Sequence, residues 1–323
     1  MVPTSTSTDP VRAQDVANAA HRASVAFILD LIQIGRDGRH PLDALLLSTI
    51  VQANVATISG RADLQVEFAG AETPPPDELR RPVSMNALAS SLRLPFESVR
   101  RRVHGLARSG LCQITRDGVI VPTEILTHPD YLTGAMRAFE RLRQLHADMR
   151  GIGALEGLPP PSVGLAGGLM PVRTVARVVS DYMLRAMDVA HTEFGDVIAC
   201  LLLFEIFRAN TEHVGATIAP ELAQADGLLD DRHRKPVRRS DLARRLGLPA
   251  ETVRRHVLAL QELGYIEARQ GGLIVTAYAL RRPRVVRFAA ENAVHLRRMF
   301  AQLSQLGVLA IWNDYAAAQA ASA

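Results

Sequence analysis

Two short runs of arginine carry most of the chemical information in this chain: Arg100, Arg101 and Arg102 in LPFESVRRRVHGLARSG, and Arg254 and Arg255 in LPAETVRRHVLALQELG. A guanidinium is a planar, permanently charged fork that can grip a phosphate, or the edge of a guanine, with two parallel hydrogen bonds. Positive charge accumulates around both runs. Arg80–Asp117 holds eight Lys and Arg against two Asp and Glu, and Arg232–Arg287 holds fourteen against four. The net charge of the whole chain is only +4, so charge is concentrated in these two places and diluted elsewhere, as a polyanion-binding surface requires. Lys235 is the single lysine. The arginine bias by itself also fits a GC-rich genome, which makes the placement of the arginines more informative than their number.

Other chemistries find little support. Cys112 and Cys200 are the only cysteines, have no paired spacing and sit in apolar contexts, which argues against a disulfide frame or a thiolate metal site. No two histidines stand four apart and no CxxC occurs, so neither a metal nor a cofactor is expected. There is no GxSxG, Walker loop or GxGxxG. GIGALEG (151–157) has the outline of a glycine loop but follows an arginine-rich helix rather than a strand, so it reads as linker. No catalytic residue is expected. The longest strongly apolar stretch, Val197–Phe204, stops at Glu205 and is far shorter than a membrane span. MVPTSTSTDP lacks the order of a signal peptide. These features point to a cytoplasmic protein with no membrane partner, frayed at its first residues and at YAAAQAASA.

The arginine runs belong to a longer repetition. Aligning Arg81–Val121 with Lys235–Val275 at an offset of 154, without a gap, gives 17 identities in 41 positions. Upstream, LLSTIVQAN (46–54) faces LLFEIFRAN (202–210) at an offset of 156. The pattern predicts an internal duplication: a first repeat over 1–150, a linker over 151–171 with six glycines and four prolines, and a second repeat over 172–323.

Each repeat must position its arginines through the same elements. In the first, helices are expected near 10–34 and 42–58, the second apolar nearly all round, followed by a proline-rich loop over 69–82. An extended piece (82–85), a short helix (86–92) with Asn86 as N-cap, a turn at Arg93-Leu94 and a helix over 95–109 come next. A strand, turn and strand then precede a long helix near 128–150. The second repeat predicts helices near 172–191 and 194–212, a loop over 215–234, pieces at 236–239, 240–246 and 249–263, strands around 265–269 and 273–276, and a helix near 283–305.

SDLARRLGLPAETVRRHVLALQELGYIEARQGGLIV resembles the winged helix–turn–helix superfamily over its whole length, and NALASSLRLPFESVRRRVHGLARSGLCQITRDGVIV is similar. The fold implied is mainly α with small β-wings, the winged motifs spanning 82–122 and 236–276. Leu242, Ala243, Leu246, Leu248, Val253, Val257 and Leu260 make the core of the second motif. Leu88, Ala89, Leu92, Leu94, Val99, Val103 and Leu106 fill the same slots in the first. With the valines inward, Glu97, Ser98, Arg101, His104 and Arg108 face outward, as do Glu251, Thr252, Arg255, Leu258 and Glu262. Phe96 is expected to pack on the short helix, and His104 and His256 to be surface and partly buried polar residues. The resemblance implies that the longer helix enters the major groove of duplex DNA. Ser98, Arg100, Arg101, Arg102, His104, Arg108, Thr252, Arg254 and Arg255 then approach base edges. Arg239 and Arg244 hold phosphates, while Arg116 and Arg269 sit at the wing tips beside the minor groove.

Relatives of this kind, among them the MarR class of bacterial regulators, act as homodimers reading two half-sites. The chain resembles such a dimer fused into one polypeptide, with a pseudo-twofold arrangement. A 21-residue linker reaches about 70 Å, beyond the roughly 34 Å between half-sites one turn apart. The expected function is a nucleoid-associated transcriptional regulator whose partner is double-stranded DNA; association with a second copy through the flanking helices stays open. Two alternatives are a plasmid-type replication initiator, some of which also carry two winged helices, and a winged-helix protein–protein scaffold of a chromosome-organising complex.

Overall fold

The computed structural model describes residues 10–162, 165 and 170–313. The two ends expected to fray lie outside the described residues. The described chain is mostly helical, with two antiparallel two-stranded sheets. In order it forms α1 (Pro10–Arg36), α2 (Pro41–Asn54), α3 (Ala56–Ser59), α4 (Ala62–Glu67), α5 (Met85–Leu92), α6 (Phe96–Arg108), β1 (Gln113–Thr115) and β2 (Gly118–Ile120). Next come α7 (Thr123–Leu126), α8 (Pro129–Gly151), α9 (Val172–Phe194) and α10 (Val197–Thr211). The chain continues with α11 (Arg239–Leu246), α12 (Ala250–Glu262), β3 (Glu267–Arg269), β4 (Gly272–Ile274), α13 (Ala277–Leu280) and α14 (Pro283–Gln305). It folds into two compact units whose membership does not follow chain order.

One unit comprises Asp30–Gln144, Gly157–Asp188 and the chain from His295 onward, and it holds the first motif. The helix expected over 42–58 breaks after Asn54, because Val55 leaves the helical region at φ −101°, ψ 15°. Ser84, two residues before the expected cap at Asn86, caps α5: its hydroxyl accepts from the Ala87 amide at 3.1 Å. Arg93 adopts the left-handed conformation (φ 50°) that turns the chain into α6. Leu88, Ala89, Leu92, Val99, Val103 and Leu106 are buried as expected, while Leu94 is only half-buried. Each large apolar side chain removed from water there contributes roughly 1.5–3 kcal/mol. β1 and β2 pair with Thr115 opposite Gly118, and Val83 bridges Val119. Gly118 (φ 137°) is required at that crossing: a Cβ would stand 2.7 Å from the Val83 carbonyl oxygen.

The other unit comprises the segment up to Leu29, Leu145–Glu156 and Val189–Val294, and it holds the second motif. α10 starts at Val197 because Gly195 (φ 91°) breaks the chain and the Asp196 carboxylate accepts from the amides of Ile198 and Ala199. Every residue of α10 except Arg208 is buried, as its all-round apolar sequence requires. Leu242, Leu246, Leu248, Val253, Val257 and Leu260 are buried; Ala243 is half-buried. The wing repeats the first in register, with Arg269 opposite Gly272 and Val237 bridging Leu273. At Gly272 (φ 152°) a Cβ would stand closer still to the Val237 carbonyl than one at Gly118 would to that of Val83. Cys112 and Cys200 are free and buried. No described helix is long and apolar enough to cross a membrane.

Candidate nucleic-acid interface

Each motif is fastened to its supporting helix by one asparagine. In the first, Asn54 Nδ2 donates to the carbonyls of Arg81 (2.7 Å) and Val119 (3.2 Å), and its Oδ1 accepts from the Val121 amide (3.0 Å). In the second, Asn210 Nδ2 donates to Lys235 (2.7 Å) and Leu273 (3.1 Å), and its Oδ1 accepts from Val275 (2.8 Å). Both side chains use three of an amide's hydrogen-bonding positions to hold the extended entry and the wing on the helix. The only sequence signal for this clamp is the asparagine that closes both LLSTIVQAN and LLFEIFRAN.

With Val99, Val103 and Leu106 buried, α6 presents the opposite face to solvent. Glu97, Ser98, Arg100, Arg101, His104 and Arg108 line one shallow, open surface groove there. Arg100 is braced by Glu97 at 2.9 Å. Arg101, His104 and Arg108 are exposed, and no hydrogen bond or ion pair engages them in the described structure. Arg102 differs from its neighbours. It turns toward α2, pairs with Asp43 at 2.8 Å and is only 18% exposed, so the structure sets it apart from the outward group.

The second motif repeats this geometry with less charge. Arg254 is braced by Glu251 at 2.7 Å, as Arg100 is by Glu97. Arg255 is exposed and unpartnered like Arg101, whereas Leu258 and Glu262 are exposed where the first motif has His104 and Arg108. Thr252 is half-buried. His256, at the position of Arg102, again faces an aspartate: its Nε2 lies 3.1 Å from Asp196, and its Nδ1 lies 2.7 Å from the Thr252 carbonyl. The Asp196 hydrogen bond raises the imidazole pKa, against the opposing effect of burial.

The flanking arginines separate into two groups. Arg239 and Arg244 are exposed, Arg244 beside Asp241 at 2.9 Å. Arg116 (95% exposed) stands at the first wing tip; Arg269, at the second, pairs with Glu267 at 2.8 Å. Arg234 and Arg245, by contrast, serve the interior. Arg234 is buried on Asp231 and the Leu229 carbonyl, and Arg245 sits between Glu205 and Glu212. The first motif has the counterpart of Arg234 in Arg80, buried on Asp77 and the Val121 carbonyl. Charge counting cannot separate these from surface cations, because a guanidinium satisfied by a carboxylate and a carbonyl tolerates burial. Phe96, expected to pack on the short helix, is instead 42% exposed at the first turn of α6, since Pro95 starts the helix with this side chain on the outward side. His104 is exposed and His256 partly buried, as expected. Among the described residues no cluster of His, Cys, Asp and Glu has the makings of a metal site.

Residues 231–270 match the family model of the IclR helix-turn-helix domain. No curated protein and no solved structure matches the chain. The matched stretch contains α11, the turn, α12 and the first wing strand, the elements that carry Arg239, Arg244, Thr252, Arg254, Arg255 and Arg269. This similarity supports a winged helix–turn–helix transcriptional regulator that binds DNA.

Proposed function

We propose that the chain is a sequence-specific duplex-DNA-binding regulator in which two winged helix–turn–helix motifs, carried by sequence repeats at 1–150 and 172–323, act as a fused pseudo-dimer. The observation that carries this reading is the pairing of Arg101 with Arg255: both lie two residues after an inward valine, Val99 and Val253, and both are exposed without a partner. The 17 identities in 41 positions and the two asparagine clamps support the duplication. Arg100, Arg101, Arg254 and Arg255, with Ser98, Thr252, His104 and Arg108, would approach base edges. Arg239 and Arg244 would hold phosphates, and Arg116 and Arg269 would flank the minor groove. Arg102 leaves this set, because Asp43 engages it. His104 against Leu258, and Arg108 against Glu262, would make the site an imperfect palindrome. In vitro selection with the full chain, followed by footprinting, tests the proposal. The expected result is a two-part site in which Arg101→Ala loses protection of one half and Arg255→Ala of the other. A one-part site would sink the pseudo-dimer; failure to enrich any sequence would turn the basic faces into a protein-binding surface.

A further inference from the structure

Within the unit that carries the first motif, α2, α3, α4, α9 and the end of α14 line an open cleft of about 450 Å³, a size suited to a small ligand. Its polar lining is incompletely satisfied. Gln52 Oε1, Ser59 Oγ, Gln65 Oε1 and Arg177 Nε are buried without a hydrogen-bond partner, and Gln65 and Arg177 are only 5% and 6% exposed. Native structures leave few such atoms unpaired, and four around one cleft point to a missing polar occupant. The Arg177 guanidinium donates to the carbonyls of Phe68 and Gln65 and to the Thr174 hydroxyl; none of these is a carboxylate. Burial draws its pKa down to about 10, so it keeps its charge at neutral pH. Arg298, also on the lining, is exposed and has no ion pair among the described residues. The carboxylate of the cleft, Asp181, is engaged by Arg185 at 2.8 Å.

In the other unit the equivalent place is filled from within. At the offset of 156 that aligns α2 with α10, Thr49, Gln52 and Ala56 correspond to Glu205, Arg208 and Glu212; at the motif offset of 154, Ser91 corresponds to Arg245. Those four charged residues form a closed network. Arg208 meets Glu205 at 2.5 Å, and Arg245 meets Glu205 at 3.1 Å and Glu212 at 2.8 Å. All four of their counterparts line the cleft. Four long side chains are thus replaced by threonine, glutamine, alanine and serine, which opens the space, while Arg177 and Arg298 bring positive charge to it.

We propose that this cleft binds a small organic anion that also carries hydroxyl or amino donors, its carboxylate taken by Arg177 and Arg298 and its donors by the amide oxygens of Gln52 and Gln65. Ser91 belongs to α5, so the occupant touches the helix–turn–helix directly. The site is tested on the protein alone, so its fate and that of the DNA-binding reading are decided separately. The full chain is titrated calorimetrically with L-malate and with L-glutamate to about 10 mM, with neutral malamide as control. One of the acids is expected to bind saturably and to raise the melting temperature, and malamide to do neither. Affinity should fall at least about tenfold in Arg298→Ala and in Gln52→Leu. It should vanish in the quadruple change Thr49→Glu, Gln52→Arg, Ala56→Glu, Ser91→Arg, which transplants the network and whose folding is followed by circular dichroism. No heat with either acid, or binding that persists through the Arg298→Ala and quadruple changes, would overturn the assignment.

Discussion

The two winged motifs share a frame and differ in what surrounds it. Both hold the wing by an asparagine, cross it at a glycine against a valine carbonyl, bury an arginine behind it and anchor the longer helix to an aspartate. On the outward face of that helix, however, one motif offers His104 and Arg108 where the other offers Leu258 and Glu262. Behind it, one unit has an open cleft where the other has a four-residue ion network. At positions that fix backbone against backbone an alternative side chain would clash or strand a polar group. Positions on a solvated face carry no such constraint.

The largest effect should come from the shared frame. Gly118→Ala or Gly272→Ala forces a Cβ into a carbonyl at a positive φ, and urea denaturation should register a loss of about 3–4 kcal/mol, the larger at Gly272. Equal tolerance at both sites would mean that the wing crossing is not held as described. Acid should then separate the units. His21 and His146 both belong to the unit of the second motif, and burial pulls each imidazole pKa from 6.5 down to about 4. The unfolded chain takes up protons that the folded one refuses, so stability is full above about 6.5 and falls as pH drops toward 4, by up to about 3 kcal/mol at His21. Hydrogen exchange should find the second-motif unit opening first in acid, and His21→Phe should blunt the effect.

On DNA, Arg101→Ala and Arg255→Ala should each lower specific affinity by about 1–3 kcal/mol, measured by fluorescence anisotropy at fixed salt. Arg102→Ala should leave that affinity unchanged in the folded protein. The smallest contrast lies in the two anchors. The raised His256 pKa means that its bond to Asp196 contributes below about pH 6.5 and is lost as pH rises through the folded value. In the first motif the same position is held by the Arg102–Asp43 pair, which contains no imidazole. With Asp196 half-exposed, the titrating share should stay under about 1 kcal/mol, visible as a pH-dependent stability difference between the wild type and His256→Gln. No pH dependence in that difference would break the contrast.

The frame was largely legible in the sequence. Hydrophobic spacing placed α5, α6, α11 and α12 within one or two residues, and α14 at 283–305 as expected. Several features were not. The short α3, α4, α7 and α13 span too few residues to show a period. The expected single helix over 42–58 ended early because its last turn gives way to the Asn54 clamp, a tertiary demand that local propensity does not contain. For the interface, the outward arginines of α6 and α12 were readable from angle alone. The inward turn of Arg102 was not, since Asp43 lies 59 residues away in sequence. Arg80, Arg234 and Arg245 look identical to surface cations until their carboxylates are in place.

The asparagine clamp also bears on how such a chain can change length. The clamp and the carbonyl it first grips stand 27 positions apart in one motif, from Asn54 to Arg81, and 25 apart in the other, from Asn210 to Lys235. The intervening segments differ in content, with two short helices and a 3-10 turn in one and two 3-10 turns in the other. Yet the amide closes on the extended entry and the wing in both. Because a single side chain sets where the wing begins, insertions and deletions upstream are absorbed before they reach the reading surface. That segment is therefore where new sequence can be grafted without retuning the register of the motif.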